Sequence, residues 1–329
     1  MGTETKNPEP EAGIAHAAGT AMAAETAETA KTTEPAGRRT TAPRLRALLG
    51  GALAQTLVGS SVGVSRELTA APLFTAQAIR YVAAAALLLV LARRAGVRPV
   101  RPRGREWLYL GGIAAFGLVV FNVAVVRGVS HAEPAVIAVA VACVPVVLGV
   151  AGPWLEHRSP SRRVLVAAAT VTAGGALVEG TGHADAIGLL WAAVALVCEA
   201  AFTLLAVPVL GRHGAWGVSI HAVWIGALMF AVLGFAAEGP GAAGRLDAAD
   251  WAAMAYLTVM VTALAFLLWY STVAALGAGP VGLLTGIAPV SAALVGVALG
   301  GPAPGLSVWA GVLIVLAGLA AGLTRRQSG

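Results

Sequence analysis

The sequence predicts an all-α polytopic membrane protein in which ten transmembrane helices form two inverted five-helix repeats. Three observations lead to this prediction. The 329 residues are 58% hydrophobic and only 12% charged, whereas soluble domains carry about 25% charged residues. The apolar residues are gathered into runs of about 20 residues, the length that a helix needs to cross the hydrocarbon core. A long passage of the first half also recurs in the second half.

Ten apolar runs are long enough to span a bilayer. Short polar or Gly/Pro segments such as EHRSPSRR and GGPAPG separate them, and none is long enough to form a soluble domain. Their ends are set by these polar segments. The predicted spans are residues 45–64, 72–92, 107–127, 132–152, 163–180, 186–207, 215–237, 251–272, 279–299 and 306–323.

The first 43 residues differ in composition from the rest of the chain. They are rich in Ala, Thr, Glu and Pro and have almost no large apolar side chains. Such a segment cannot bury enough surface to offset its ordering entropy, so we expect a disordered tail. It lacks the pattern of a signal peptide, so the first span is expected to act as the targeting signal. The predicted domains are a tail over 1–43, repeats over 44–180 and 181–324, and a second tail over 325–329.

Basic residues divide unequally between alternate loops. Of the 22 Lys and Arg, 18 fall on the side that includes both termini, and only Arg66, Arg127 and Arg245 fall on the other. The remaining one, Arg80, lies inside the second span. The positive-inside rule therefore predicts that both termini are cytoplasmic. Because topology explains the net charge of +6, no nucleic-acid partner is predicted.

The sequence contains no motif for a nucleotide, a metal or a disulfide framework. Cys143 and Cys198 both lie in apolar runs, where each is most simply a packing residue. No Walker lysine or Rossmann fingerprint is present, so no cofactor and no ATP-driven pump are predicted. A membrane enzyme acting on a lipid-linked substrate would need acidic or polar residues clustered at one interface. The sequence lacks that pattern, so we do not expect an enzyme.

Two passages of the chain resemble each other at a fixed offset. VPVVLGVAGPWLEHRSPSRRVLVAAATVTAGGAL and APVSAALVGVALGGPAPGLSVWAGVLIVLAGLAA align without a gap when Pro145 is matched with Pro289, 144 residues later. In each, a proline-containing helix ends, a tight turn follows, and a Gly/Ala-rich helix begins. Ala/Gly-rich spans can also look alike without being repeats. Upstream, matching Ser130 with Gly277 shifts the register by about one helical turn, which predicts an extra turn in one half.

The repeat has a consequence for topology. Five spans is an odd number, so the two halves enter the membrane from opposite sides. Transporters use this construction, with the substrate site near the bilayer midplane between the halves.

Three stretches of the sequence resemble one family of membrane proteins. They are AIRYVAAAALLLVLARR in the second span, PVVLGVAGPWLEHRSPSRRVLVAAATVTAGGAL, and FLLWYSTVAALGAGPVGLLTGIAPVSAALVGVALG. Together they resemble the EamA-domain proteins of the drug/metabolite transporter superfamily, over about residues 45–323. The resemblance implies two inverted five-helix repeats and a transporter that exports a metabolite or drug across the bacterial cytoplasmic membrane.

The chain departs from the family pattern at one turn. Glu156 matches the acidic turn of the first half, but Gly300, Gly301 and Pro302 stand at the corresponding place in the second half. A role for this acid is therefore not duplicated. We expect Glu156 to belong to a solvated cluster of salt bridges beside the arginines of the same turn.

Two charged residues are predicted to lie in the middle third of the membrane. Arg80 is about 12 Å below the outer end of span two, and Glu199 is about 18 Å below the outer end of span six. A charge at this depth is costly and usually marks function. We hypothesise that both line a central cavity, where Arg80 meets an anionic group of the substrate and Glu199 meets a cationic group or a proton. The alternatives are a structural pair between two helices, or an Arg80 side chain that extends to the outer interface.

Five further residues are candidates for substrate binding. Gln55 lies near the middle of span one, Gln77 lies one turn before the arginine of span two, and Asn122 lies toward the outer end of span three. Each could instead form hydrogen bonds between helices. Trp269 and Tyr270, near the inner end of span eight, could line a cavity or belong to the aromatic belt at the interface.

The sequence is interpreted as that of a secondary transporter that moves a small polar or amphipathic solute by alternating access. Its predicted partners are the lipid bilayer and the solute, and proton coupling through Glu199 is a hypothesis. Small-residue helix faces are compatible with a homodimer and equally with packing inside a monomer. A facilitative pore, and a membrane sensor or scaffold without transport, are the alternative functions.

Overall fold

The computed structural model describes residues 41–65, 68, 70–298, 300 and 303–323. The chain divides into two compact units, Met1–Arg46 and Ala47–Gly329. Of the first unit, the described residues 41–46 form the start of a helix. The tail predicted over 1–43 lies outside the described residues except for its last three positions, and the tail predicted over 325–329 lies wholly outside them.

Ten helices of at least 18 residues account for most of the described chain, where the only β pairing is an isolated bridge between Ala132 and Ala184. Each predicted span coincides with one of these helices, with ends that agree to within about four residues except at the start of α7. The helices are α1 Thr41–Ser65, α2 Leu73–Arg94, α3 Glu106–Gly128, α4 Pro134–Leu155, α5 Arg162–Glu179, α6 Ala186–Leu204, α7 Val207–Ala237, α8 Ala248–Leu276, α9 Ala278–Ala298 and α10 Leu306–Leu323.

Eight of these helices are long and apolar enough to cross a membrane by length and composition. The two others are α1 and α5. Helix α5 begins with two arginines and ends with a glutamate, while α1 has arginines in its first turns and several Ser and Thr residues. Helix α7 is interrupted at Gly214, whose backbone angles of φ 60° and ψ 178° are not helical. The span predicted to begin at residue 215 starts directly after this break.

Local irregularities of the helices recur at an offset of 144 residues. Helix α3 contains a π-helical segment at Ile113–Val120, and α8 contains one at Leu257–Leu264. Helix α4 begins after Glu133, and α9 begins after Gly277. The structural counterpart of Gly277 is therefore Glu133 and not Ser130. The extra helical turn predicted for one half is wrong, because Ser130 belongs to the loop before the cap.

The starts of α3 and α8 share one capping hydrogen bond. A Glu106 carboxylate oxygen accepts a hydrogen bond from the backbone N–H of Arg103 at 2.7 Å, and Asp250 accepts one from the N–H of Asp247 at 3.0 Å. These two pairs also lie 144 residues apart. Capping by side chains satisfies backbone donors that a helix start leaves without partners. The repeat thus extends upstream into α3 and α8.

Helices α5 and α10 pack closely through glycines placed symmetrically in the two repeats. A Cβ atom on Gly174 would lie 2.7 Å from the backbone nitrogen of Val315, and one on Gly318 would lie 2.8 Å from a methyl carbon of Val171. Small residues allow membrane helices to approach this closely. Helices α2 and α7, which also correspond to each other, form the second extensive pair.

The main hydrophobic core lies among α2, α3, α7 and α8. Leu88, Leu110, Phe230 and Tyr270 are fully buried there. We name the end of the bundle with the loops 95–105 and 156–161, Gly214 and Gly277 the basic end, because most loop arginines lie there. The other end, with the loops 129–133, 180–185 and 238–247, is the opposite end.

Candidate functional site

Arg80 is held inside the bundle by neutral hydrogen-bond acceptors. Its side chain, on α2, is only 8% exposed. Nε donates to Thr262 Oγ1 of α8 at 3.0 Å, and Nη1 donates to Gln77 Oε1 at 3.1 Å. The guanidinium also lies 5.1 Å from the ring centroid of Tyr81, within the range of a cation–π interaction. In the described chain no carboxylate pairs with Arg80, so its charge is not neutralised by an internal partner.

Gln77 and Asn122 extend the Arg80 network to α3. Gln77 Nε2 donates to Asn122 Oδ1 at 3.0 Å, and Asn122 Nδ2 donates to the backbone oxygen of Leu118 at 2.7 Å. Gln77 thus makes the hydrogen bond between helices that was the alternative to substrate binding, and Asn122 accepts this bond and also donates to the backbone of its own helix. They also orient Gln77 Oε1 toward the guanidinium, so they position Arg80.

Both π-helical segments border this network. Thr262, the acceptor from Arg80, and Thr258, whose Oγ1 donates to the Arg80 backbone oxygen at 3.4 Å, lie in the π-helical segment of α8. Leu118 lies in that of α3. A π-helical turn widens a helix locally and occurs frequently at functional sites. The two threonines were missed by the sequence analysis, although their spacing of four in an otherwise apolar span was a usable signal.

Glu199 lies on the interior face of α6. Its neighbours on that face, Ala192, Ala195, Phe202 and Thr203, are all buried, because residues three, four or seven apart share one side of a helix. The outward side is marked by Val197, which is 63% exposed. Glu199 itself is only half-buried.

The Glu199 carboxylate has no hydrogen bond or ion pair in the described chain. The titratable side chains near it are those of Tyr270 on α8 and of the preceding residue, Cys198. Buried charges are normally paired. An interior carboxylate without a protein partner is therefore available to a proton or to a cationic group.

Trp269 and Tyr270 join α8 to the part of α6 that follows Glu199. Trp269 Nε1 donates to Thr203 Oγ1 at 3.0 Å, and the Tyr270 hydroxyl donates to the Phe202 backbone oxygen at 3.1 Å. Both side chains are buried, at 4% and 0% exposure. This burial excludes the aromatic belt, whose members face the lipid interface. Tyr270 also forms an aromatic cluster with Phe202 and Phe266, while Trp269 is bonded to α6 one helical turn after Glu199.

Gln55 is a further polar residue without an internal partner. It lies on α1 at 5% exposure, and within the described chain its side chain makes no hydrogen bond. The helix face around it packs against α8 and α9, where Gly51 approaches Thr272 and Gly59 approaches Ser291. Gln55 therefore points into the protein and not into lipid.

The structure thus contains two separate polar groups. Arg80, Gln77 and Asn122 form one network, while Glu199, Trp269 and Tyr270 form the other. Arg80 and Glu199 form no ion pair in the described part of the chain. That they line one central cavity remains a prediction.

A cleft of about 400 Å³ opens at the basic end. Glu156 stands at its rim, where it pairs with Arg158 and accepts a hydrogen bond from the backbone N–H of Ala278 at 3.1 Å. The pair with Arg158 is a salt bridge within this turn, as expected, but the Glu156 side chain is only 16% exposed and is not solvated as expected. The reason is that the turn packs onto the start of α9. The cleft is lined by Glu156, Arg158, Val207, Leu210, Gly211, Val273, Ala274, Ala275, Leu276 and Gly277.

The comparisons with known proteins identify the family. The model of the EamA-like transporter family matches residues 45–179 and again residues 186–323. The chain belongs to the EamA-like transporter family. Each match covers one set of five helices, so the ten-helix fold with two inverted five-helix repeats is confirmed, and the protein is a multi-pass membrane protein of a transporter family.

Two known proteins are similar to this chain over most of its length. One is named "Uncharacterized transporter YetK", from Bacillus subtilis (strain 168); it is 25% identical over 270 residues, which cover 79% of this chain and 81% of the relative. The other is a protein of known crystal structure with a TM-score of 0.72 and 19% identity, covering 84% of this chain and 96% of the solved chain. The latter similarity concerns the fold alone.

Proposed function

We propose that this EamA-like protein is a secondary transporter that moves a small polar or amphipathic metabolite or drug across a bacterial cytoplasmic membrane by alternating access. The observation that supports this proposal is Glu199, an interior carboxylate that is half-buried and has no hydrogen bond or ion pair in the described chain. An ionisable group inside a membrane span is a functional-site hypothesis by default.

Glu199 is proposed to exchange a proton for a cationic group of the solute. A lone carboxylate in an apolar environment is costly, so it must be neutralised by a proton or by a bound cation. The two occupants compete for the same oxygens. Each solute that leaves Glu199 then allows a proton to bind, and the opposite exchange follows on the other side of the membrane.

Arg80 is proposed to supply the complementary fixed charge. Arginine has five N–H donors and stays protonated, and within the described residues only two donors of Arg80 are used, by Thr262 and Gln77. The remaining donors suit an anionic or carbonyl group of a solute. Gln55 is a further candidate because its amide has no partner in the described chain.

The orientation and direction of transport belong to the same proposal. The basic end, with its many arginines, is assigned to the cytoplasm by the positive-inside rule, which places both termini there. Export is the direction that the family resemblance favours. The solute and the bilayer are the proposed partners, and a homodimer is compatible with the small-residue faces.

The proposal is tested by solute-coupled proton movement. The protein is reconstituted in liposomes that contain a pH dye, and pools of amino acids, sugars, nucleosides and cationic drugs are added. Wild type is compared with Glu199→Gln, and with Glu133→Gln as a control, because Glu133 is exposed in a loop at the opposite end. We expect one pool to move protons with wild type and the control but not with Glu199→Gln.

Other outcomes assign other functions. Solute flux without protons in wild type and in Glu199→Gln would overturn proton coupling through Glu199. Flux without saturation or counterflow would indicate a facilitative pore. An absence of flux in every pool, with folded protein, would favour a sensor or scaffold.

A further inference from the structure

Helices α4 and α9 meet closely at the basic end. A Cβ atom on Gly152 of α4 would lie 2.8 Å from the backbone nitrogen of Gly279 and 2.9 Å from Cβ of Ala278 in α9. Pro153 approaches Gly279 from the same side, at 3.2 Å from its Cβ position. Because α4 belongs to the first repeat and α9 to the second, this contact joins the two repeats at the basic end, beside the cleft of about 400 Å³.

The equivalent contact at the opposite end is absent. The residue 144 positions after Gly152 is Gly296, and no described atom lies within 4 Å of its Cβ position. In the segment Val144–Leu155 six residues are buried, whereas in residues 288–298, the described part of the equivalent segment, only Ser291 is buried. Two repeats with the same sequence register are therefore packed differently, with the α4–α9 interface closed at the basic end only.

Glu156 is the polar contact of the closed end. Its Oε1 accepts from the backbone N–H of Ala278, while its Oε2 pairs with Arg158 of its own turn. The next residue, His157, has φ 55°, a left-handed conformation that costs energy for a residue with a side chain. Gly277 has φ 79°, and a Cβ atom there would lie 2.9 Å from Glu156 Oε1. Glycine at this position therefore both allows the turn and leaves room for the carboxylate.

The second repeat cannot make the same contact. The position equivalent to Glu156 is Gly300, which has no carboxylate, and the position equivalent to Ala278 is Pro134, which has no N–H. Both the acceptor and the donor are therefore missing at the opposite end.

We infer that Glu156 is a latch, that is, a contact that favours one of the two states of alternating access over the other. The two states are the one closed at the basic end and the one closed at the opposite end. Glu156 stabilises the state in which α4 and α9 are closed at the basic end, and no matching latch stabilises the state closed at the opposite end. A carboxylate that accepts from a backbone N–H is a charge-assisted hydrogen bond, and its loss is expected to shift such an equilibrium by about tenfold or more. The inference rests on the alternating access proposed above.

Distances between spin labels at the two ends test the latch. In a full-length protein that lacks Cys143 and Cys198, one label pair is placed at Ser159 and Ala275 of the basic end. A second pair is placed at Ser130 and Ser307 of the opposite end. All four positions are exposed, and each pair joins the two repeats. Pulsed electron paramagnetic resonance in nanodiscs then measures both distances without solute or proton gradient.

Three substitutions are compared with wild type. Glu156→Ala removes the acceptor. Ala278→Pro removes the donor by introducing the residue that the first repeat has at the equivalent position, Pro134. Proline is tolerated at the first position of a helix. Glu133→Ala is the control, since Glu133 is a loop glutamate of the opposite end that pairs with His183. Circular dichroism and gel filtration report on folding.

We expect Glu156→Ala and Ala278→Pro to lengthen the distance between the basic-end labels and to shorten the distance between the opposite-end labels. The ratio of the two populations should change by about tenfold, and Glu133→Ala should leave it unchanged. Unchanged distances in folded variants would overturn the inference. Loss of folding in both variants would assign Glu156 to stability alone and would also overturn it. Because no solute is present, this result is independent of the proton-coupling test.

Discussion

Trp269 and Thr203 form a buried hydrogen bond between α8 and α6, one helical turn from Glu199. The indole N–H lies 3.0 Å from Thr203 Oγ1, and Thr203 is 1% exposed. Any displacement of the helix that bears Glu199 therefore displaces α8 as well, unless this bond breaks. The pair mechanically couples the proposed proton site to the helix that also provides Thr262 to Arg80.

Replacing Thr203 with valine should destabilise the protein. The change keeps the shape of the side chain but leaves the buried indole N–H without an acceptor, which costs about 1–3 kcal/mol. We expect a lower apparent melting temperature in detergent, measured by tryptophan fluorescence. Thr56→Val is the matched control, because the Thr56 side chain is exposed and, in the described chain, its hydroxyl donates only to the Ala52 oxygen of its own helix. Equal melting temperatures for both variants would contradict a structural role of the pair.

Arg80→Lys should reduce transport more than it reduces stability. A lysine ammonium keeps the charge but cannot reproduce the planar fork that bonds Thr262 and Gln77 together. We expect the initial rate of solute counterflow in liposomes to fall at least about tenfold, the equivalent of roughly 1.4 kcal/mol. The loop variant Arg98→Lys should transport as wild type does. A counterflow rate for Arg80→Lys within twofold of wild type would assign Arg80 to structure.

Gly174→Ala should separate α5 from α10. The added methyl group would lie 2.7 Å from the backbone nitrogen of Val315, which cannot move without moving its helix. Overpacking of this kind costs about 1–3 kcal/mol. Gly296→Ala adds the same methyl group where no described atom lies within 4 Å, so it should be neutral or stabilising by up to about 1 kcal/mol through helix propensity. The melting temperatures of the two variants are compared in the same detergent. A lower melting temperature for Gly296→Ala than for Gly174→Ala would contradict this packing.

Asp185 should stabilise the loops of the opposite end at neutral pH but not at low pH. It precedes α6, and its pKa is lowered first by the backbone N–H of Gly188, at 2.7 Å, and then by His131, at 2.9 Å. Because the pKa in the folded state is below that in the unfolded state, the contacts stabilise the fold above the unfolded pKa. This stabilisation is lost as the pH falls through the folded pKa.

The measurement is the melting temperature between about pH 6 and about pH 3 for wild type and Asp185→Asn. Asparagine still caps the helix but does not titrate, so its melting temperature should fall less steeply as the pH is lowered. Identical slopes for both proteins would show that Asp185 does not contribute.

The positions of the helices could be predicted from the sequence because each apolar run must match the bilayer in length. The repeat was also detectable, since Pro145 and Pro289 keep their offset through two helices and a turn. Ser130 was matched with Gly277 by residue type. The correct match is Glu133, because Glu133 and Gly277 occupy the same N-cap position of α4 and α9 although their side chains are chemically different. No signal in the sequence indicated the π-helical segments, which depend on the hydrogen-bond pattern of the backbone.

The partners of the site residues were harder to predict. Arg80 was matched with Glu199 by depth and charge, but Thr262, 182 residues away in sequence, accepts its hydrogen bond. The depth of a residue along its helix does not show which neighbouring helix that residue faces. Trp269 and Tyr270 lie near a helix end by counting, yet α6 covers them, so burial could not be inferred from position alone.

The equal spacing of the two π-helical segments bears on the common origin of the two halves. A π-helical turn accommodates one residue more than the α-helical ladder around it. Segments at Ile113–Val120 and Leu257–Leu264 share the offset that relates the rest of the two halves. The simplest history is a single insertion in an ancestral five-helix gene, followed by its duplication. The acid at position 156 and the glycine at position 300 are then a difference that arose between the two halves.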